Sequence, residues 1–74
     1  MELKNIDFLI RSDGEITLGR VGPIRCAAIA CDPHSSLAML VRRRNESLMA
    51  LLERLDAAIE DALEREVFVD EINP

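Results

Sequence analysis

Large aromatic side chains are nearly absent from this sequence, which has no Trp, no Tyr and only two Phe residues, Phe8 and Phe68. Proteins that hold single-stranded nucleic acid without sequence preference stack its bases on several aromatic rings. That mode of binding is therefore disfavoured, and so are binding sites anchored by Tyr or Trp. The core that this chain builds must be aliphatic.

Residues of the kinds that build catalytic or metal sites are also scarce. Cys26, Cys31 and the single histidine, His34, fall short of the ligand sets of structural and catalytic zinc sites. Ser35 and Ser36 adjoin His34, but no Gly-x-Ser-x-Gly elbow surrounds them, and no glycine-rich loop is present to bind phosphate. The sequence therefore predicts no catalytic residues, no metal, no cofactor and no small-molecule substrate, and we expect a protein that is not an enzyme.

Long apolar runs are missing as well. No stretch approaches the roughly 20 residues of a membrane span, and no basic N-terminus leads into a signal-peptide core. We expect a cytoplasmic protein that does not enter the membrane and whose two cysteines are plain thiols. Cys26 and Cys31 are an odd number of residues apart, so on one regular strand they would face opposite sides of the sheet and could not form a direct bridge.

The composition is that of one small domain, 1–74, with 49% hydrophobic and 31% charged residues, and we expect 1–5 and 70–74 to fray. A chain of 74 residues builds only a marginal core, so a second chain is a ready source of further burial. The net charge of −5 is uneven, because residues 1–45 have seven Lys or Arg against five acids, whereas 46–74 have two against nine. This acidic half repels phosphate, which makes nucleic acid an unlikely partner.

One segment, Asn45–Glu64, has an unambiguous period, because its apolar side chains recur three, four and seven residues apart and form one stripe of an α-helix. The stripe consists of Leu48, Leu51, Leu52, Leu55, Ile59 and Leu63. The opposite face is acidic, and a solvated helix surface explains it without a cation site. Its carboxylates are Glu53, Asp56, Glu60 and Glu64.

Two features near the N-terminus predict a β-hairpin. Ile6, Phe8 and Ile10 alternate with Asp7 and Arg11, which is the period of a strand. Ser12–Gly14 then has the composition of a three-residue hairpin loop with Gly14 at positive φ.

The next strands follow from glycine positions and apolar runs. The second strand should stop or bulge near Val21, between two glycines. Ile24–Cys31 has two alternating sets that are both mostly apolar, which predicts a central third strand with something covering each face.

The segment Leu37–Arg44 fits two structures. It can be a fourth strand antiparallel to the third, or it can extend the long helix upstream, since an Asp-Pro pair before it is a good helix start. The helix would then far exceed the mean length of ~11–12 residues and would place Arg44 on its apolar stripe, so the strand is favoured. Asn45 or Ser47 would then cap the long helix.

The predicted fold is α+β: an antiparallel β-meander of three or four strands with one long C-terminal amphipathic helix packed on one face. Beyond the helix, Val67–Val69 is β-prone, and Phe68 is expected to fold back onto the sheet.

One helix covers only one face of such a sheet, which leaves either Cys26 and Ala28 or Ala27 and Ile29 bare. A second copy packed on the bare face would bury it, so we expect a homodimer. The expected interface consists of Ala27, Ala28, Ile29, Arg42, Arg43 and Arg44.

The arginine run 42–44 has two interpretations. It can pair with the acidic helix of its own chain or of a dimer partner, or it can bind phosphate, and the pairing is favoured. The leading hypothesis is therefore a small non-enzymatic protein–protein interaction or regulatory module, homodimeric and open to a further protein partner. The alternative is a nucleic-acid-binding protein that uses the basic patch 42–44.

Overall fold

Residues 2–73 are described by a computed structural model, in which helices and strands follow one another along the chain. Their bounds are α1 Lys4–Arg11, β1 Glu15–Val21, β2 Ile24–Cys31, β3 Ser36–Val41, α2 Leu48–Arg65 and β4 Val69–Asp70. The strands form one sheet in the order β1-β2-β3-β4, antiparallel from β1 to β3, and β4 joins β3 in parallel. The predicted fold class is confirmed, because a β-meander carries a long C-terminal helix on one face.

The segment predicted as the first strand is the helix α1, so that prediction is wrong. Ile6 and Leu9 are three residues apart, and on a helix they turn to the same side. Both are buried in the core, whereas Phe8 and Ile10 are 55% and 54% exposed. The alternation of apolar residues was misleading because burial of Ile6 and Leu9 requires the helical spacing.

The predicted hairpin loop, 12–14, is the turn that leads from α1 into β1, so this prediction is wrong as well. The Gly14 N–H donates to the Leu9 carbonyl oxygen at 2.8 Å, and the positive φ of 66° belongs to Asp13. A glycine is required at position 14 because there is no room for a side chain. A Cβ at this position would lie 2.5 Å from Leu9 Cγ and 2.8 Å from the Cys31 carbonyl oxygen.

The strands β1 and β2 agree with their predicted positions. The register between them shifts between Gly19 and Val21, where the sequence predicts a bulge or a stop. The strand β3 resolves the ambiguous segment in favour of a strand, and Leu40 lies opposite Ala28 in the ladder. It ends at Val41, so the arginine run lies in the connection to α2 and not in the strand.

The helix α2 confirms the predicted long helix, with ends shifted from Asn45–Glu64 to Leu48–Arg65. Ser47 is its N-cap, because the Ser47 hydroxyl oxygen accepts the Ala50 N–H at 3.0 Å. Its buried side chains form the expected stripe, completed by two alanines: Leu51, Leu55, Ala58, Ile59 and Ala62.

The predicted stripe is longer than the buried one. Leu48 and Leu63, near its two ends, are 46% and 44% exposed, so the covered part of α2 is its middle. Phe68 is 56% exposed and does not fold back. Val69 packs against the core in its place, and pairs with Ala38 of β3.

The ends of the chain also make contacts. Asn5 and Glu71 form hydrogen bonds to α2 or β3, and Met1 and Pro74 lie outside the described residues. Fraying of 1–5 and 70–74 stays a prediction.

Candidate functional site

Both helices pack on the same face of the sheet. Ala28 and Leu40 share one buried cluster with Leu55 of α2 and Leu9 of α1. Because side chains of a strand alternate between faces, Ala27 and its neighbours point the other way. Ala27 is fully buried yet lies outside that cluster, as expected of a residue on the opposite side. Within residues 2–73, neither helix packs on this second face, which we call the open face.

The open face consists of two rows of side chains that cross the sheet. One row is Gly19, Ala27 and Val41, and the other is Thr17, Ile29 and Met39. Thr17 is the single polar member. The first row has its two smallest residues side by side, so the surface is low there, whereas Ile29 and Met39 form a higher ridge. Ile29, Met39 and Val41 are all partly exposed.

The structure divides the predicted interface residues between the two faces. Ala27 and Ile29 lie on the open face, which is one of the two alternatives that the sequence left for the uncovered side of the sheet. Ala28 lies on the covered face instead, in the core cluster beneath α2. The sequence could place these residues on opposite faces, but which face the helices cover depends on contacts distant in the chain.

The predicted arginines lie at one end of the open face. An open groove of about 570 Å³ lies at the start of β2 and the end of β3. Its lining consists of Ile24, Arg25, Cys26, Val41, Arg42, Arg43 and Arg44. We call this the arginine groove. Arg25, which sequence reasoning passed over, belongs to it because the antiparallel pairing of β2 and β3 brings these ends together.

The expected ion pairs between 42–44 and the acidic helix of the same chain are not formed. Within residues 2–73, none of the groove arginines makes a salt bridge. Arg42 Nε donates instead to the neutral carbonyl oxygen of Glu46 at 2.9 Å. The Glu46 carboxylate is already held by Arg54, with Nε to Oε2 at 2.9 Å. The Glu46 carboxylate, the acid that follows the run most closely in the sequence, is therefore already paired.

Arg54 ties three parts of the chain together. Besides Glu46, its guanidinium donates to Glu71 Oε2 at 2.8 Å and to the Val41 carbonyl oxygen at 2.9 Å. Glu71 Oε1 in turn accepts the Val41 N–H at 2.9 Å. The hydrogen bond from Arg54, helped by the Arg43 backbone N–H, lowers the pKa of Glu46 to about 2. This cluster holds the end of β3 against α2 and the chain end.

Sequence reasoning assigned Arg54 no role. The spacing of eight residues between Arg54 and Glu46 crosses a helix cap and gives no regular signal. Arg54 has a structural role, since each of its guanidinium nitrogens already has a hydrogen-bond partner.

The acidic face of α2 is only partly solvated. Asp56 Oδ1 accepts the backbone N–H groups of Asn5 and Ile6 at 2.8 and 2.9 Å, and Glu60 Oε1 accepts from the Asn5 side chain at 3.3 Å. These carboxylates hold the start of α1. Among residues 2–73, no three or more His, Cys, Asp or Glu side chains come together as a metal site.

The remaining candidate residues are apart from one another. Cys26 and Cys31 are free thiols. His34 lies in the β2–β3 turn, where Asp32 Oδ1 accepts the His34 and Ser35 N–H groups at 2.8 and 2.7 Å. These hydrogen bonds lower the pKa of Asp32 and form the turn itself.

The chain matches no protein family model, and no significant match to it is found among curated proteins or solved structures. No helix within 2–73 combines the length and apolar character needed to cross a membrane.

Proposed function

We propose that this chain is a non-enzymatic protein–protein interaction module that acts as a homodimer, with the open face of one copy packed on the open face of another. The observation that supports this most is the placement of both helices on one side of the sheet. It leaves the apolar side chains of Ile29, Met39 and Val41 partly exposed, with the fully buried Ala27 beside them. Such a surface is costly in water and is typical of an interaction site.

The size of the open face sets the expected strength. Three strands about 4.8 Å apart and six to eight residues long cover roughly 14 by 20–27 Å. This is less than the ~800 Å² per partner of a standard interface, so we expect a dimer that dissociates in the micromolar range.

The test is analytical ultracentrifugation of the full chain across micromolar concentrations. The wild type should shift from monomer to dimer, and Ile29→Arg should remain monomeric with its helical circular dichroism kept. Leu48→Arg is the matched control, since Leu48 is an apolar residue of α2 with 46% exposure and lies away from the open face. If Ile29→Arg does not fold, Met39→Lys on the same row replaces it. A wild type that stays monomeric throughout would contradict the proposal.

A cytoplasmic location is part of the same proposal. It is supported by Cys26 and Cys31, which are free thiols of the kind kept reduced inside cells. A fluorescent fusion found outside the cytoplasm would argue against it.

The second candidate function is nucleic-acid binding through the arginine groove. The observation in its favour is that the guanidinium groups of Arg25 and 42–44 make no salt bridge within residues 2–73. The net charge of −5 opposes it. Binding of a labelled DNA duplex, followed by anisotropy from low to moderate salt, should show a slope of about −0.9 per phosphate contact if this function is correct. Arg44→Ala should reduce that slope and Arg11→Ala should not, because Arg11 is paired with Asp7 on α1. No measurable binding at low salt would exclude this candidate.

A further inference from the structure

The sheet carries opposite charges at its two ends. At the end where β2 begins and β1 and β3 finish lie the arginines Arg20, Arg25, Arg42, Arg43 and Arg44. At the other end, where β1 begins and β2 finishes, lie Asp13, Glu15 and Asp32. Glu46 and Glu71 also lie near the basic end and share Arg54 between them, so the arginines still outnumber the acids there. The open face is therefore polarised along its strands.

Two symmetric arrangements can place one open face on another. A two-fold axis parallel to the strands keeps their direction, so each basic end would lie on the partner's basic end. A two-fold axis that crosses the strands reverses their direction and sets each basic end on an acidic end. Like charges in close contact are unfavourable and opposite charges steer association, so electrostatics favours the crossing axis.

The shape of the open face favours the same arrangement. Ala28 is midway between Arg25 and Cys31 along β2, so an axis that crosses the strands at Ala28 exchanges the two rows of the open face. Ala27 of one chain then lies over Ile29 of the other, and a small side chain faces a large one. An axis parallel to the strands would instead place Ile29 on Ile29 and leave a gap at Ala27.

From these two observations we propose that the homodimer is antiparallel, with its two-fold axis crossing β2 at Ala28, and that Arg25 of each chain pairs with Glu15 of its partner. Glu15 lies opposite Cys31 in the β1–β2 ladder, on the side of the open face. The axis brings Arg25 over that position, one strand away from Glu15, a distance that the long Arg side chain spans. This arrangement depends on the dimer under Proposed function, and the experiment below separates the two.

The main test is a charge exchange measured by sedimentation equilibrium at low salt. Arg25→Glu should weaken dimerisation about tenfold, because two exposed pairs per dimer are replaced by repulsion. Glu15→Arg alone should have the same effect. The double variant Arg25→Glu/Glu15→Arg should return to within about threefold of the wild type, since both pairs are re-formed in reverse. The control Arg11→Glu, on α1, should leave the dimer unchanged.

Cross-linking supplies an independent readout. Stacked sheets lie about 10 Å apart, beyond the reach of a disulfide, so a short bis-maleimide is used. In a Cys26→Ala background, Arg25→Cys should become linked between chains to the native Cys31. A link between the two introduced cysteines would instead show strands that run in the same direction.

These experiments test the existence of the dimer and its antiparallel arrangement separately. A wild-type chain that is monomeric contradicts the dimer and the arrangement together. Suppose that the wild type is a dimer. If the double variant then fails to recover wild-type dimerisation, or if the cross-linker joins the two introduced cysteines to each other, the antiparallel arrangement is overturned and the dimer itself stands.

Discussion

Asp56 of α2 closes the first turn of α1: its Oδ1 accepts the Ile6 backbone N–H at 2.9 Å and the Asn5 N–H at 2.8 Å. The residue that precedes α1, Leu3, has no side chain able to cap it. The first amide groups of a helix need such an acceptor, and a carboxylate there also interacts favourably with the helix dipole. A side chain more than fifty residues downstream thus takes the role of the N-cap.

This relationship predicts the effect of removing the Asp56 carboxylate. Asp56→Ala should lower the free energy of unfolding by about 1–2 kcal/mol, the usual cost of a lost N-cap. Amide hydrogen exchange should show residues 4–11 opening more than the sheet. Glu53→Ala is the matched control, since Glu53 is an exposed acid of the same helix for which no hydrogen bond is found among residues 2–73. Equal effects of the two variants would count against the capping role.

Gly14 and Asp13 should respond in opposite directions. Gly14→Ala would force a Cβ to within 2.8 Å of the Cys31 carbonyl oxygen, so the free energy of unfolding should fall by about 1–3 kcal/mol. Asp13→Gly should be neutral or stabilise by up to about 1 kcal/mol, because it relieves a φ of 66°. Thermal melts of both variants decide the matter. The hairpin expected from the sequence would have placed the positive φ at Gly14. A loss of stability in Asp13→Gly would contradict the strain assigned to Asp13.

The pair between Glu46 and Arg54 predicts a loss of stability in acid. The pKa of Glu46 is lowered from 4.5 to about 2 by the hydrogen bond from Arg54, so folding favours the ionised carboxylate. Its contribution is complete above about pH 4.5 and disappears as the pH falls through about 2. Denaturant titrations from pH 6 to pH 2 should show this fall in the wild type and a flatter profile in Glu46→Gln. Glu53→Gln, the control, should keep the wild-type profile.

The fold was predictable wherever a pattern is local. The helix α2 follows from the spacing of Leu51, Leu55 and Ile59, and β2 follows from its apolar run. The helix α1 was not predictable, because the alternation of Ile6 and Phe8 competes with the helical spacing of Ile6 and Leu9. The choice between them is made by α2, through its apolar stripe and Asp56, and neither is visible in residues 4–11 alone.

The candidate site shows the same division. Alternation along β2 is sufficient by itself to place Ala27 and Ala28 on opposite faces. Which of the two is covered depends on where the helices pack. The partners of 42–44 could not be predicted either, because Glu46 and Glu71, the acids that the fold brings to the end of β3, are held by Arg54.

Neighbouring substitutions in β2 should separate the covered face from the open one. Ala28 is 0% exposed in the cluster beneath α2, so Ala28→Arg would bury an unpaired charge there. The cost of several kcal/mol is comparable to the whole stability of so small a domain, and the chain should be unfolded by circular dichroism. Ile29→Arg, one residue further along, should keep the wild-type spectrum and a melting temperature within a few degrees, because its side chain reaches water. If Ile29→Arg unfolded the chain while Ala28→Arg did not, the assignment of the two faces would be reversed.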